Sequence, residues 1–173
     1  MEQTISKGVY YIKHRLSITD MKEIHEWLIV DYSNDPDDPL LNWFVDLMLK
    51  RRKVWGLFYK DNKADKCVGF MLTRKKFKHN KADSAANRNE FGKMHKHITI
   101  KLFSIAPDHR RNGLGRKLFV EPFLNLIDDI DFIKLDPRDK AISFWTRLGF
   151  TKIGDAGSKM ILSVNDFRRL YVR

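Results

Sequence analysis

The residues between His109 and Leu118 have the types and spacing of a phosphate-binding site. The run His109-Arg110-Arg111-Asn112-Gly113-Leu114-Gly115-Arg116-Lys117-Leu118 places two glycines and three arginines between a predicted strand and a predicted helix. Because Gly113 and Gly115 lack a Cβ atom, the N–H groups from Arg111 to Arg116 can converge on phosphate oxygens at the positive end of a helix. The three arginines add charged hydrogen-bond donors. The stretch therefore predicts a loop that holds a pyrophosphate.

The spacing of the glycines excludes two common phosphate loops. There is no G-x-x-x-x-G-K-[ST] sequence, and the first glycine of a G-x-G-x-x-G sequence is missing. The pattern is R-x-x-G-x-G, from Arg110 to Gly115. On its own, it would equally suit a basic turn that ends at glycine.

A second block of sequence lies downstream of the loop. Residues 131–136 read as a short buried strand, and the run Ala141-Ile142-Ser143-Phe144-Trp145-Thr146-Arg147-Leu148-Gly149-Phe150 reads as a helix that ends at glycine. In this order and at this distance, the two blocks resemble the GNAT superfamily of acyl-CoA-dependent N-acetyltransferases. The resemblance is close over residues 97–154 and covers the remainder only through the order of elements.

The resemblance implies a fold and a co-substrate. The fold is an α/β (α+β) domain with a mixed, mostly antiparallel central sheet, helices on both faces, and a splay between strands four and five. The splay admits the pantetheine arm of acetyl-CoA, which pairs with the backbone of strand four as an added strand would. The residues implied to bind acetyl-CoA are Phe103, Ile105, Arg110, Arg111, Asn112, Gly113, Leu114, Gly115, Arg116, Phe144 and Trp145.

The catalytic residues are less clear from the sequence. Many relatives carry a tyrosine at the position of Trp145, where its phenol protonates the departing thiolate, but an indole N–H does not transfer its proton at neutral pH. Relatives also place a glutamate near Thr99, which is not a base. His97 titrates in the useful range and is the candidate base, with a surface imidazole at a strand end as the alternative. His95 and His97 lack a third ligand at suitable spacing, so no metal site is expected.

The length of 173 residues and a hydrophobic content of 43% predict a single domain over residues 1–173. Hydrophobic periodicity predicts its helices and strands. Pro122 interrupts the helix after the loop and predicts a kink. The predicted order is a strand at Val9–Lys13, a helix from Ser17 or Thr19, a helix near Leu40–Lys50, strands at Val54–Tyr59 and Cys67–Arg74, an irregular connection at 75–96, a strand at His97–Ile105, a helix from Gly113, a strand near 131–136, a helix near Lys140–Leu148, strands at Phe150–Ile153 and Lys159–Val164, and a terminal helix capped by Ser163 or Asn165.

Charge is distributed unevenly along the chain. The net charge is +11, yet the residues between Lys22 and Lys50 contain no Lys or Arg and seven acids. In the family, the junction of the first two helices borders the acceptor pocket, so acids there would attract a cationic amine. The alternative is a solvated turn. The candidate acceptor-binding residues are Asp31, Asp35, Asp37 and Asp38.

The basic remainder permits another interpretation, in which the chain acts on a nucleic-acid-linked acceptor such as charged tRNA, or binds CoA without catalysis. Nucleic acid is possible but not favoured. Cys67 lies in an apolar run, where a packed thiol is expected rather than a nucleophile. No membrane segment or signal peptide is expected, and with a single cysteine this favours the cytoplasm or another reducing compartment. The expected assembly is a monomer or homodimer.

Overall fold

The computed structural model describes residues 9–14, 16–32, 53–60, 65–76, 96–154 and 158–172. They fall into two compact units, one formed by Met1–Thr73 with Leu102–Pro122 and the other by Arg74–Lys101 with Phe123–Arg173. The predicted helix near Leu40–Lys50 lies outside the described residues, and the single-domain assignment stays a prediction. No helix in the described ranges is both long and apolar enough to cross a bilayer.

The described residues contain seven strands and four α-helices. The strands are β1 (Val9–His14), β2 (Lys53–Lys60), β3 (Asp65–Lys76), β4 (His97–Ile105), β5 (Phe132–Leu135), β6 (Thr151–Lys152) and β7 (Met160–Ser163). The helices are α1 (Ile18–Tyr32), α2 (Leu114–Leu124), α3 (Ile142–Arg147) and α4 (Val164–Tyr171).

The strands lie in the order β1-β2-β3-β4-β5-β7-β6. Four neighbouring pairs are antiparallel: β1–β2, β2–β3, β5–β7 and β7–β6. The pair β4–β5 is parallel. The predicted mixed, mostly antiparallel sheet is therefore confirmed. Among the described residues, the β4–β5 register ends at Ile100 with Leu135, although β4 continues to Ile105. The pairing stops where β5 ends, so the predicted splay between the two strands stays a prediction.

In the first unit, helices pack on both faces of β3. Phe70 and Leu72 of β3 lie in one buried cluster with Ile24 of α1. Gly69 faces the other way, because a Cβ atom there would lie 3.5 Å from Leu118 Cδ2 of α2 and 2.6 Å from Ile105 Cδ1. This close approach accounts for a glycine inside a strand.

Cys67 also lies in the buried cluster of the first unit. Its side chain is fully buried, and its Sγ donates to Gly69 O at 3.4 Å. Burial raises the pKa of the thiol to about 12. The prediction of a packed thiol rather than a nucleophile is confirmed.

In the second unit, β5 and β7 bury alternate side chains, and α4 covers them with Phe167, which lies 6.2 Å from the Phe123 ring between centroids. Ser163 caps α4, because its hydroxyl accepts from the Asp166 N–H at 3.0 Å. This confirms one of the two predicted caps.

Two predicted boundaries are wrong. β3 continues through Lys75 and Lys76, which were expected in an irregular connection, and the remainder of that connection up to residue 95 lies outside the described residues. Val164, expected in the last strand, begins α4.

α2 continues for two residues past Pro122. The kink stays a prediction.

Candidate functional site

The predicted phosphate loop follows β4 through a tight turn. Three backbone hydrogen bonds hold this turn: Ala106 N to Val68 O at 2.8 Å, His109 N to Ala106 O at 2.9 Å, and Arg110 N to Pro107 O at 3.2 Å. The first ties the end of β4 to β3, and the other two close a 3-10 turn over Pro107–His109. The loop therefore starts from a fixed point on the sheet.

The loop backbone alternates through the left-handed region. Arg111 has φ +66° and Gly113 has φ +72°. Left-handed residues within a turn are typical of the backbone concavities that bind anions. A Cβ atom on Gly113 would meet nothing within 4 Å. The space beside the glycine is therefore open, as the approach of a phosphate to the backbone requires.

α2 begins directly after the loop. Lys117 N donates to Gly113 O at 3.2 Å and closes the first helical turn, while Leu114 is buried and orients the helix start. The N–H groups ahead of Lys117 lie at the helix N-terminus, where the helix dipole favours negative charge. Arg110, Arg111 and Arg116 are exposed around it. The chemistry of this donor set fits a pyrophosphate.

The Arg110 side chain also forms a hydrogen bond within the loop region. Its Nε donates to Ile105 O at 2.8 Å, so its guanidinium braces the end of β4. Ile105 is buried and Phe103 half-buried. A guanidinium has five N–H donors in a fork, so one arginine can make a backbone contact and a phosphate contact together.

An aromatic cluster lies against the turn that leads into the loop. The Tyr10 hydroxyl and His109 Nδ1 are 3.1 Å apart. The His109 ring lies 6.0 Å from the Tyr10 ring and 5.7 Å from the Tyr59 ring between centroids. Burial, and then the Lys66 ammonium, lower the pKa of His109, with Asp108 opposing them. The lowered pKa favours the neutral imidazole, and with the proton on Nε2 its Nδ1 can accept a hydrogen bond from Tyr10.

His97, the candidate base, begins β4 in the second unit. Its side chain is only 5% exposed, and its ring stacks on Phe132 of β5, with 5.1 Å between centroids and 11° between planes. The alternative of a surface imidazole is wrong. The catalytic assignment stays a prediction.

Phe144 and Trp145 lie in α3, also in the second unit. Trp145 is 4% exposed, and its ring meets Phe144 edge-on at 5.0 Å and Phe150 at 5.3 Å. Phe150 N donates to Trp145 O at 3.1 Å, which folds the chain back after Gly149. Gly149 has φ +91°, as expected of a residue that ends a helix. Phe144 is half-buried, so it is the more accessible ring of the pair.

A family profile described as the acetyltransferase (GNAT) family matches residues 21–150. The chain belongs to this family. As a member of the GNAT family, it is an acetyl-CoA-dependent N-acetyltransferase. No curated protein sequence matches it significantly.

Solved GNAT structures share the fold at low identity. A Tyr→Phe mutant of KacT matches with a TM-score of 0.64 and 14% identity, covering 94% of this chain and 99% of that one. An AtaT toxin mutant bound to acetyl-CoA and the C-terminus of its antitoxin AtaR matches with 0.62 and 14%, covering 95% and 99%. NAA60 of Arabidopsis thaliana in complex with acetyl-CoA matches with 0.64 and 10%, covering 91% and 99%.

Of the four predicted acceptor-binding aspartates, only one lies within the described residues. Asp31 is in the last turn of α1, and Asp35, Asp37 and Asp38 lie outside the described residues. Among the side chains that the structure describes, no three of His, Cys, Asp or Glu are grouped to hold a metal ion.

Sequence reasoning missed the Tyr10, Tyr59 and His109 cluster beside this GNAT loop. Tyr10 and Tyr59 are direct partners across β1 and β2. Their pairing depends on the strand register, and only the alternation of β1 hinted that Tyr10 and Tyr11 face opposite ways.

Proposed function

We propose that this GNAT enzyme transfers the acetyl group of acetyl-CoA to a primary amine on a cationic acceptor. A protein lysine or N-terminus, a polyamine, or an aminoglycoside-like molecule would carry such an amine. The observation that supports the CoA site is the backbone of the Arg110–Arg116 loop, with Arg111 and Gly113 both at positive φ beside the start of α2.

In this proposal, the loop holds the pyrophosphate through backbone N–H groups and arginine side chains. The main chain of Phe103 and Ile105 pairs with the pantetheine arm, since β4 runs beyond its pairing with β5. Phe144 and Trp145 flank the thioester. These assignments are carried over from the family pattern onto the matching residues of this chain.

The reaction needs a neutral amine and a stabilised oxyanion. The amine loses a proton to a base, and its lone pair attacks the thioester carbonyl, which N–H groups of strand four polarise. The tetrahedral intermediate collapses with cleavage of the C–S bond, and the CoA thiolate leaves with the electron pair. Water protonates the thiolate, or a hydrogen bond stabilises it as it leaves, because Trp145 does not transfer its proton at neutral pH. We propose His97 as the base.

The acceptor is proposed from charge. Asp31, Asp35, Asp37 and Asp38 would present negative charge to a cationic amine, whereas the rest of the chain is strongly basic. The basic remainder keeps one alternative open, an acceptor linked to nucleic acid such as charged tRNA. Among the structural neighbours, KacTA is in complex with DNA, at 16% identity and a TM-score of 0.63. The single buried thiol suits a cytoplasmic or other reducing location.

The test is mass spectrometry of the purified protein for retained acetyl-CoA, followed by an acceptor screen. The screen contains lysine peptides, polyamines, aminoglycosides and charged tRNA, with acetyl transfer read by mass. We expect transfer to a cationic amine that depends on acetyl-CoA. Transfer to charged tRNA alone would replace the proposed acceptor class, and tight CoA binding without any transfer would mark a binding module.

A further inference from the structure

The loop needs an external brace, because its backbone is strained and exposed. A non-glycine residue at positive φ, such as Arg111 at +66°, carries a conformational cost that the surrounding structure must hold. The four residues from Arg110 to Gly113 are exposed, so their own side chains supply little packing. The conformation therefore depends on the anchors at the two ends of the loop.

The anchors at the β4 end differ in what they reach. Ala106 N bonds to β3, and Arg110 Nε bonds back to the carbonyl of Ile105 in β4. The His109 ring reaches further, to Tyr10 of β1 and Tyr59 of β2. It is also the last side chain before the arginines of the loop.

We propose that Tyr10 and His109 form a positioning pair that holds the pyrophosphate loop in its CoA-binding conformation. The hydroxyl of Tyr10 donates to Nδ1 of His109, and the Tyr10 and Tyr59 rings confine the imidazole. The inference rests on the proposed CoA site. Neither residue is assigned a contact with the reacting atoms.

The surroundings of His109 favour this hydrogen bond. Among the described residues, the charged or titratable groups that act on the imidazole are Lys66, Asp108, Tyr10 and Tyr59. A neutral imidazole carries one N–H and one lone pair, and the positioning pair uses the tautomer with the proton on Nε2, in which Nδ1 accepts from Tyr10. The loop binds CoA only in this conformation. Loss of the hydrogen bond lowers the population of that conformation, and the apparent affinity for acetyl-CoA falls in proportion to the population.

The test compares acetyl-CoA affinity by calorimetry in Tyr10→Phe, His109→Leu and His109→Asn. We expect Tyr10→Phe to weaken acetyl-CoA binding about two- to tenfold, the range of one net hydrogen bond. His109→Asn places an amide oxygen near the position of Nδ1 and should bind close to wild type, whereas His109→Leu should bind more weakly. The double variant Tyr10→Phe/His109→Leu should bind no more weakly than His109→Leu alone.

Tyr59→Phe is the matched control, because it removes a hydroxyl from the same cluster and keeps the ring contact with His109. Binding of S-acetylpantetheine, followed by ligand-observed NMR, separates the loop from the rest of the site because this fragment lacks the pyrophosphate. We expect its affinity to be unchanged in Tyr10→Phe and in Tyr59→Phe.

Three outcomes would overturn the inference. One is equal acetyl-CoA affinity in folded Tyr10→Phe, Tyr59→Phe and wild type. Another is a parallel loss of acetyl-CoA and acetylpantetheine binding in Tyr10→Phe, which would indicate a general structural role. The third is a wild-type protein that does not bind acetyl-CoA, which would refute the proposed function and this inference with it.

Discussion

Trp145 packs in the core of the second unit and stands where many family members have a tyrosine. Its ring fills the space between Phe144 and Phe150 and is 4% exposed. A tyrosine at this position in many relatives supplies the proton that the CoA thiolate takes up. The indole can pack and donate a hydrogen bond but does not release its proton. We therefore expect catalysis without a phenolic acid.

The pH profile of two variants tests this expectation. Trp145→Tyr should raise kcat severalfold and add a high-pH limb, because the phenol can then act as the acid. Trp145→Phe should keep most of the wild-type kcat and lower the free energy of unfolding by about 1–3 kcal/mol, since it leaves a cavity beside Phe150. Complete loss of turnover in a folded Trp145→Phe protein that still binds CoA would show that the indole N–H is needed.

At the scale of elements, the start of α1 shows how a helix end is held. Ser17 N donates to Asp20 Oδ2 at 2.6 Å, and Asp20 N donates to Ser17 Oγ at 3.1 Å, which forms a reciprocal capping box. Lys13 Nζ lies 3.2 Å from the same carboxylate oxygen. Burial opposes ionisation of Asp20, but the Ser17 N–H, the Ser17 hydroxyl and Lys13 together lower its pKa below 3.8.

Asp20→Asn should lower the free energy of unfolding by about 0.5–1 kcal/mol at pH 7, because it removes the charge at the helix N-terminus and the pair with Lys13. Because the pKa of Asp20 is lower in the folded state, its contribution is present above the unfolded value near 3.8 and disappears as the pH falls through the folded value. Urea unfolding at pH 7 and at acidic pH measures both effects.

The matched control is Asp128→Asn, which makes the same charge change at a carboxylate that is 89% exposed beside Arg168. We expect little change in stability there. An equal loss in the two variants, or a loss in Asp20→Asn that persists at acidic pH, would contradict the capping account.

The sequence predicts the loop and most elements because their signals are local. The glycines at 113 and 115 mark the loop, Gly149 marks a helix end, and runs of apolar residues mark β5 and β7. His97 is different. Its burial against Phe132 depends on the parallel register of β4 and β5, which no local pattern specifies.

For the whole molecule, the distribution of charge supports the proposed acceptor class. We expect the combined change of Asp31, Asp35, Asp37 and Asp38 to asparagine to raise the Michaelis constant for a cationic amine several-fold. Exposed charges contribute about 0.2–1 kcal/mol each, so single changes should have small effects. Steady-state kinetics with the amine varied at saturating acetyl-CoA measures this.

Salt provides the internal control, since added salt should raise the wild-type constant toward that of the quadruple variant and leave the variant nearly unchanged. Acetyl-CoA affinity should stay constant in the variant. The account would be contradicted if neither the substitutions nor salt changed the Michaelis constant for the amine. The aspartates would then be residues of a solvated turn, and the basic surface would be favoured as the acceptor site.

The central claim is that acetyl-CoA binds through the backbone of the Arg110–Arg116 loop. The most direct test is calorimetric titration of acetyl-CoA into Gly113→Val, with Gly154→Val as the matched control. Gly113 and Gly154 have φ +72° and +71°, and a Cβ atom on either would meet nothing within 4 Å, so the two substitutions are matched in φ and in open space. We predict that Gly113→Val loses acetyl-CoA affinity by about tenfold or more, because its side chain displaces a phosphate from charge-assisted N–H donors, while Gly154→Val binds as wild type. Wild-type affinity in a folded Gly113→Val protein would contradict the site.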